Sequence, residues 1–373
     1  MIRIGITGQA GFVGTYLFNF LGLKDEVQRI PFEDSFFSNT DKLQSFVKQC
    51  DVIVHLAAMN RHNDPEVLYK TNIELVEKLI DAMEAEAVIP HVLFSSSTQE
   101  ERDNKYGNSK KEGRKRLISW AEKNNAAFTG MVIPNVFGPF GNPYYNSVVA
   151  TFSHQLTHNE QPRIEVDGQL KLIFVGELVS EIWKIITTKR AENEYFIPFT
   201  SESKVTELLA KLTDYKLLYF DKGVLPEINS TFELNLFNTF RSYIDHSKHF
   251  PVNLVKHTDA RGSFVETVKT SLGGQFSFST THSGITRGEH YHTRKIERFT
   301  VIKGKAQIEL RKIGTEEVLH FDLDGETPSY VDMPVWYTHN ITNTGTEELL
   351  TLFWINEFFN PDDPDTYFEK VRK

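Results

Sequence analysis

The chain has 373 residues, with 41 Lys and Arg against 50 Asp and Glu, giving a formal net charge of -9 at pH 7. That length predicts two domains, and the acidity argues against nucleic acid or an anionic membrane as main partner, although a local basic pocket can still hold a phosphate. Hydrophobic residues at 40% and charged residues at 24% suit a soluble globular protein, and no stretch approaches the roughly 20 apolar residues of a membrane span.

The chain opens on MIRIGIT, an apolar run that reads as a buried strand with no signal peptide before it. GITGQAGFVG then ends that strand and opens a helix, with Gly8, Gly11 and Gly14 spaced glycine-x-x-glycine-x-x-glycine. Such a turn lets backbone approach a pyrophosphate, and the N–H groups at the helix start favour its charge. The motif alone is weak, because a glycine turn also serves plain helix–strand packing. The next strand region, EVQRIPFED, bears on the cofactor. NAD enzymes often end this strand with an acid for the ribose hydroxyls. Here Gln28, Arg29 and Ile30 occupy the strand, and Glu33 and Asp34 arrive late. Arg29 could hold a 2′-phosphate, which favours NADPH over NADH; a surface arginine without a role is the plainer alternative.

Cys50 is the only cysteine, so the chain has no intrachain disulfide and no thiolate metal cluster. It is expected as a small buried residue beside the strand DVIVHLAA, in a reducing cytoplasm. HVLFSSS and FTGMVIP read as further buried strands, and PEVLYKTNIELVEKLIDAMEAE and SKKEGRKRLISWAEKN as helices between them. Strand–helix alternation predicts an α/β, Rossmann-type doubly wound parallel sheet. In YGNSK, Tyr106 and Lys110 lie four apart on one helical face, near the hydroxyls that end HVLFSSST. A lysine ammonium beside a phenol lowers the phenol pKa, making Tyr106 a proton donor to a carbonyl that accepts hydride. ELVSEIWKIITT and SKVTELLAKLTDY extend this half to about residue 212, and Leu225–His249 reads as a mixed bridge.

After Pro251 the texture changes. GSFVETVKT, GQFSFSTTH, RFTVIKG, KAQIELRKI, SYVDMP, HNITNTG and ELLTLFWI are short segments separated by turn residues, which predicts an all-β second domain. The expected domains are 1–246 and 247–373. Within the second, Gly284, His290-x-His292, Glu297 and Gly304 occur in one stretch, and His-x-His spacing on a strand turns both rings to one face. With His339 of MPVWYTHNITN they form a nitrogen/oxygen set suited to zinc, iron, manganese or nickel.

The first half resembles the extended short-chain dehydrogenase/reductases, on GITGQAGFVG, HLAA, FSSS, the Tyr106-x-x-x-Lys110 pair, PNVFGP and LIFVGELV. That resemblance makes Tyr106 the catalytic acid/base, Lys110 its partner and Ser97 the favoured hydroxyl, with Ser96 and Thr98 as rivals. It places the cofactor on Gly8, Gly11, Phe12, Val13, Gly14, Leu56, Ala57, Ala58, Tyr106 and Lys110, and directs Asn135 and Tyr144 towards a nucleotide sugar. The arginine often found just before the asparagine of PNVFGP is absent here, which leaves the substrate contacts open.

The 284–304 stretch fills every marked position of the first cupin motif, so a double-stranded β-helix (jelly-roll) domain is expected. The second motif keeps Pro334, His339 and Asn343 but has Trp336 where glycine is usual. HTDARGSFVETVKT resembles the opening strand of cupin-class nucleotide-sugar epimerases, which implies substrate contact at Arg261 and Glu266. Read as sequence alone, Asp259-Ala-Arg-Gly is a turn with a solvated ion pair.

Reductase first and cupin second resembles the CapF/WbjC-type bifunctional capsular polysaccharide proteins over essentially the whole chain. The resemblance implies C3 epimerisation of a UDP-4-keto-6-deoxy-hexosamine by the cupin domain, then reduction of the C4 ketone with NADPH. It implies a homodimer through the cupin domain and a divalent metal, zinc first, on His290, His292, Glu297 and His339. Tyr337 and Glu266 are candidates for the epimerase base. The alternatives weighed against this are a cupin metal dioxygenase fused to a reductase, and a non-catalytic NAD(P) or sugar sensor.

Overall fold

The computed structural model describes residues 1–259, 262–265, 267–270, 274–357 and 360–373. They form two compact units, Met1–Thr151 with Val166–Val205, and Phe152–Glu165 with Thr206–Lys373.

The strands of the first unit are β1 (Ile2–Thr7), β2 (Val27–Ile30), β3 (Val52–His55), β4 (His91–Ser97), β5 (Phe128–Ile133), β6 (Asn135–Phe137), β7 (Gln169–Phe174), β8 (Glu192–Phe196) and β9 (Ser201–Lys204). Six make one sheet in the order β2-β1-β3-β4-β5-β8, parallel throughout. β6, β7 and β9 make a small second sheet. Every residue of β3 and β5 is buried, because a parallel sheet covered on both faces needs continuous apolar runs rather than alternation. The helices α1 (Phe12–Leu21), α2 (Thr40–Gln49), α3 (Pro65–Ala85) and α4 (Lys105–Asn124) alternate with these strands as expected.

Local chemistry sets the helix ends. Asp64 accepts from Glu66 N at 2.8 Å with Pro65 at the first helical position of α3, and Asn104 accepts from Gly107 N at 2.8 Å at the start of α4. Gly11 precedes α1 at its N-cap and offers no side-chain cap, so the first N–H groups of the helix are not taken by a capping side chain. Leu79, Met83, Leu117 and Trp120 fill one face of the sheet with Phe46 and Phe94. Truncating a fully buried leucine such as Leu79 or Leu117 would cost roughly 2–5 kcal/mol. Cys50 is buried there as expected, its thiol pushed up to about 12 by burial.

The strands of the second unit are β10 (Val224–Leu225), β11 (Val252–Asn253), β12 (Lys256–Asp259), β13 (Gly262–Val265), β14 (Lys269–Thr270), β15 (Gln275–Thr281), β16 (Thr286–Tyr291) and β17 (Glu297–Lys303). There follow β18 (Lys305–Lys312), β19 (Val318–Asp324), β20 (Ser329–Met333), β21 (Tyr337–Asn343), β22 (Leu349–Ile355) and β23 (Tyr367–Phe368). Two five-stranded sheets dominate, β11-β20-β17-β22-β15 and β19-β18-β21-β16-β23. All their pairs are antiparallel. Val301, Ile308, Leu310, Phe321, Val331, Ile341 and Leu349 form their core. After Pro251 the described residues form strands without helices, as the short-strand pattern predicts, whereas the earlier part of this unit contains the helices Thr231–Arg241 and His246–His249. A buried ion pair crosses β17 and β20, with Arg298 donating to both Asp332 oxygens at 2.8 and 3.0 Å. Removing either partner would leave a buried charge and cost about 3–5 kcal/mol.

Candidate functional site

In the first unit the glycine turn, the end of β3 and the start of α4 line a cavity of about 860 Å³. It lies at the carboxyl ends of the strands, where β1 and β3 part the chain to opposite sides of the sheet. Gly8 has φ +69°, and a Cβ there would stand 2.8 Å from Ala57 N; a Cβ on Gly14 would stand 2.2 Å from Gly8 O. Only glycine permits that approach of turn, helix and β3. Phe12, Val13, Leu56, Ala57 and Ala58 line the same wall.

α4 carries Tyr106 and Lys110 to the cavity, and β4 ends beside them. Lys110 Nζ donates to Ser95 O at 2.9 Å and stands 5.8 Å from the Tyr106 ring centre. Burial lowers Lys110 to about 8. The expectation that lysine lowers the phenol pKa is not met. Burial, then the Tyr145 phenol, push Tyr106 upward, since the ammonium is spent on a carbonyl rather than on the phenol oxygen. Tyr106 is therefore a protonated acid near neutrality.

The three hydroxyls proposed to orient a ketone differ in what they already bind. Ser96 is buried and donates to Glu100, which two Arg114 nitrogens also hold. Thr98 is exposed. Ser97 is half-buried, lines the cavity and only accepts, from Gln99 N at 3.2 Å, so its proton is free to point at a ligand.

Other placements depart from the sequence reading. Arg29 is exposed on β2, donates to Phe18 O at 3.0 Å and stacks 4.3 Å from the Phe18 ring centre; it does not line the cavity, whereas Asp34 does. Asn135 lines the cavity, its amide anchored on Lys171 O at 3.1 Å. Tyr144 does not; its carbonyl holds Arg61, and the adjacent Tyr145 lines the cavity instead, accepting from Asn60 N at 3.1 Å. Asn72 is a residue that sequence reasoning missed. Buried in α3, it accepts from Met59 N at 2.7 Å and donates to Met59 O and Ser109 at 3.0 Å, tying the segment after β3 to α4. A polar amide inside the apolar stripe of YKTNIELV was the available signal.

In the second unit the donor atoms of His290, His292, Glu297 and His339 all lie within 4.8 Å of one another. Three strands deliver them. A register shift between Gly288 and His290, with Glu289 at φ 63°, sets His290 directly opposite His339 across β16 and β21. Such bulges re-aim side chains. β17 begins at Glu297, and His292 falls one residue beyond β16. His292 Nε2 lies 2.8 Å from Glu297 Oε2, and His339 Nε2 stands 3.5 Å from that oxygen.

Burial, then His339 and His292, holds His290 down to about 4, so it is a neutral ligand near pH 7. Burial opposes charge on both His292 and Glu297, yet their mutual attraction wins, raising the histidine and lowering the carboxyl. Among the described residues, buried His339 Nε2 has no hydrogen-bond partner beyond the long 3.5 Å approach to Glu297. A buried ring nitrogen without a partner, beside three other nitrogen and oxygen donors, fits a divalent metal.

Trp336, where glycine was expected, takes φ 60° itself, and its buried ring stacks on Tyr291 at 5.4 Å. Burial of the indole offsets a backbone strain of about 1 kcal/mol. Tyr337 packs 5.5 Å from the His246 ring and against the core, two residues before His339 on β21. Arg261 and Glu266 lie outside the described residues.

The two sites define a class, a doubly wound reductase-type unit followed by an antiparallel double sheet with a histidine/glutamate cluster. A family model for the NAD dependent epimerase/dehydratase family matches residues 4–197, and one for a polysaccharide biosynthesis C-terminal domain matches residues 257–367. The chain is 33% identical to a UDP-2-acetamido-2,6-beta-L-arabino-hexul-4-ose reductase of Pseudomonas aeruginosa, with 98% of each chain covered. It is 32% identical, at a TM-score of 0.63 and with 100% of each chain covered, to the capsular polysaccharide assembling protein CapF of Staphylococcus aureus. An RMD structure from Pseudomonas aeruginosa complexed with NADPH covers 65% of this chain and 99% of its own at 19% identity and a TM-score of 0.56, a likeness of fold alone. The chain belongs to the NAD dependent epimerase/dehydratase family and, within it, to the CapF-like proteins.

Proposed function

We propose that the chain is a bifunctional nucleotide-sugar enzyme of capsular polysaccharide synthesis. Its C-terminal unit inverts C3 of UDP-2-acetamido-2,6-dideoxy-hexos-4-ulose, a UDP-4-keto-6-deoxy-hexosamine. Its N-terminal unit then reduces the C4 ketone, giving a UDP-6-deoxy-L-talosamine-type sugar on the route to UDP-N-acetyl-L-fucosamine. The observation that carries this reading is the presence in one chain of a Tyr106–Lys110–Ser97 cavity and a histidine/glutamate cluster. A relative alike over 98% of its length and named as a UDP-hexulose reductase supports it.

For the reduction, a nicotinamide cofactor on the Gly8–Gly14 turn would supply hydride to C4. Ser97 donates a hydrogen bond to the ketone oxygen, and Tyr106 gives that oxygen its proton as the hydride arrives. Lys110, bonded to the Ser95 carbonyl and mostly charged at neutral pH with a pKa of about 8, offsets the charge of the phenolate left behind through space, 5.8 Å from the Tyr106 ring centre. For the epimerisation, a divalent metal, zinc first, would lend Lewis-acid stabilisation to the negative oxygen formed when the C3 proton leaves. His290, His292, Glu297 and His339 would hold it. A base takes the C3 proton on one face and an acid returns one on the other, which inverts C3; Tyr337 and Glu266 are the candidates for the base. Reduction then removes the ketone, and with it the acidity that allowed inversion, so the second step locks the first.

NADPH is the proposed hydride source. β2 ends at Ile30 with no acid at the position where NAD enzymes take the ribose hydroxyls. Arg29 must leave the Phe18 carbonyl to reach a 2′-phosphate, and Asp34 on the cavity wall acts in the opposite sense. Comparing the two cofactors is thus a direct test.

A homodimer through the C-terminal unit is proposed from Phe276 and Phe278, 53% and 71% exposed on β15, the last strand of its sheet among the described residues. Sedimentation of a Phe276→Asp/Phe278→Asp variant as a dimer would refute that contact. A cytoplasmic setting is proposed from the single buried thiol. No helix among the described residues is long and apolar enough to cross a membrane.

The test of the whole reading is incubation with the UDP-4-keto sugar in heavy water. Deuterium should enter C3 without NADPH, and a reduced sugar should form only when NADPH is added. Reduction without any C3 exchange would leave the C-terminal unit without its proposed activity.

A further inference from the structure

The C-terminal segment brings a carboxylate against the metal-type cluster that no sequence motif marks. Asp365 is 1% exposed and has φ 39°. Its Oδ1 accepts from Thr293 N at 3.0 Å and from Thr293 Oγ1 at 2.6 Å, and its Oδ2 accepts from Arg294 N and Lys295 N at 3.0 Å each. One side chain thereby holds three consecutive backbone N–H groups of the loop that joins His292 to Glu297. Its own carbonyl accepts from His292 Nδ1. A carbonyl can only accept, so it keeps a proton on Nδ1 and leaves Nε2 facing Glu297 and the cluster. Two residues on, β23 pairs with β16, setting Phe368 opposite His290 and Tyr367 opposite Tyr291.

We propose that Asp365 is a positioning residue of the C-terminal site, fixing the His292 tautomer through its carbonyl and the His292–Glu297 spacing through its carboxylate. This rests on the reading that the quartet holds a divalent metal. Buried carboxylates are ordinarily paired with a cation, whereas this one is satisfied by three amides and a hydroxyl, a use that spends its full acceptor capacity on one loop. The left-handed backbone it adopts is open to Asp, Asn and Gly but not to most residues.

The test uses the full chain with Zn²⁺ and a competing chelator. Asp365→Asn keeps the shape and tolerates the backbone but has one acceptor oxygen; Asp365→Gly keeps the backbone and deletes the carboxylate. Loss of such an outer partner weakens metal binding by about 10–100-fold, with the glycine variant the weaker. Glu369→Gln is the control, because Glu369 ties the same tail to buried Arg311 at 2.9 Å and touches no cluster residue through its side chain. It should bind Zn²⁺ as the wild type does. In metal-free protein, ¹⁵N NMR should find the His292 Nδ1 proton protected from exchange in wild type and Glu369→Gln, and less protected in Asp365→Gly, which keeps the carbonyl at 365 but loses the carboxylate bonds that hold that carbonyl against the His292 loop. Should the glycine variant fail to fold, the asparagine variant carries both measurements.

Zn²⁺ affinity unchanged in Asp365→Asn, or equally reduced in Glu369→Gln, overturns the inference. A wild type that takes up no metal overturns the metal reading instead, and the Nδ1 protection then decides the positioning role by itself.

Discussion

The cavity of the first unit and the cluster of the second solve opposite problems. The cavity must admit two large ligands, so it is built mainly from absence: glycines without Cβ atoms, the small residues Ala57 and Ala58, and one helix face that carries Tyr106 and Lys110. The cluster converges on a point: His290, His292, Glu297 and His339, from three strands and the residue after β16, bring their donor atoms together in a largely buried space. Histidine chemistry follows the contrast. His55, beside the cavity, bonds Thr7 at 2.6 Å, stacks on Phe94, and is held to about 3 by burial and then by Lys110. His292 is also buried, but Glu297 raises it. Burial makes a histidine a neutral structural part unless a carboxylate is placed to share its proton.

The sharpest way to break this pairing is to remove one site and read the other. His290→Ala with His292→Ala should abolish metal content and C3 deuterium exchange, while cofactor binding and reduction of an already inverted ketone continue. Unchanged exchange in that double variant would sink the epimerase assignment. Tyr106→Phe should do the converse. Losing the proton donor should lower the rate of ketone reduction by about 10²–10⁴-fold, with exchange at C3 untouched. A similar loss of exchange in Tyr106→Phe would mean that one site performs both steps.

These two experiments also mark what could be read from the chain alone. Gly8–Gly14 and Tyr106–Lys110 are each local, separated by less than two helical turns, so spacing alone places their side chains together. The cluster's residues lie up to 49 positions apart, from His290 to His339, and needed a known motif to be gathered. What neither route revealed depends on details that spacing does not encode. The bulge at Glu289, the preference of Lys110 for a carbonyl, and the return of Asp365 to the His292 loop are set by register and by hydrogen-bond competition. Ser97 was favoured over its neighbours, but only the partners of Ser96 and Ser97 give a physical reason. Arg29 and Tyr144 lie in regions of the chain directed to the cavity, yet their own side chains do not line it. A strand-end or loop motif does not say which of two adjacent residues faces inward.

The two kinds of histidine predict how acid acts on the first unit. The unfolded value of His55 is 6.5 and its folded value about 3, so above pH 6.5 neither state binds the proton and nothing is lost. As pH falls below 6.5 the unfolded chain takes up a proton that the folded chain refuses, and stability declines. Between pH 6.5 and 5 this amounts to about 2 kcal/mol. His91, buried and held to about 4, acts in the same direction. His55→Gln should be less stable than wild type at neutral pH, but the gap should shrink by about 2 kcal/mol at pH 5, measured by denaturant unfolding. A gap that stays constant would mean His55 carries its proton in the folded state.

The smallest expected effect concerns the cofactor. Arg29 is exposed, satisfied by the Phe18 carbonyl and ring, and off the cavity wall, so Arg29→Ala should change the NADPH-to-NADH ratio of kcat/KM by less than about twofold. A tenfold fall in that ratio, about 1.4 kcal/mol, would mean that the arginine leaves Phe18 and swings to a 2′-phosphate. Asp34→Asn sharpens the same comparison from the other side. Asp34 lines the cavity, so removing its charge should raise the NADPH-to-NADH ratio if the carboxylate faces the ribose. Should Arg29→Ala be silent and Asp34→Asn favour NADPH, the strand-end arginine has no part in cofactor choice. Selection then rests on a carboxylate that a phosphorylated ribose must tolerate, and the proposed preference for NADPH would have to come from some other cation.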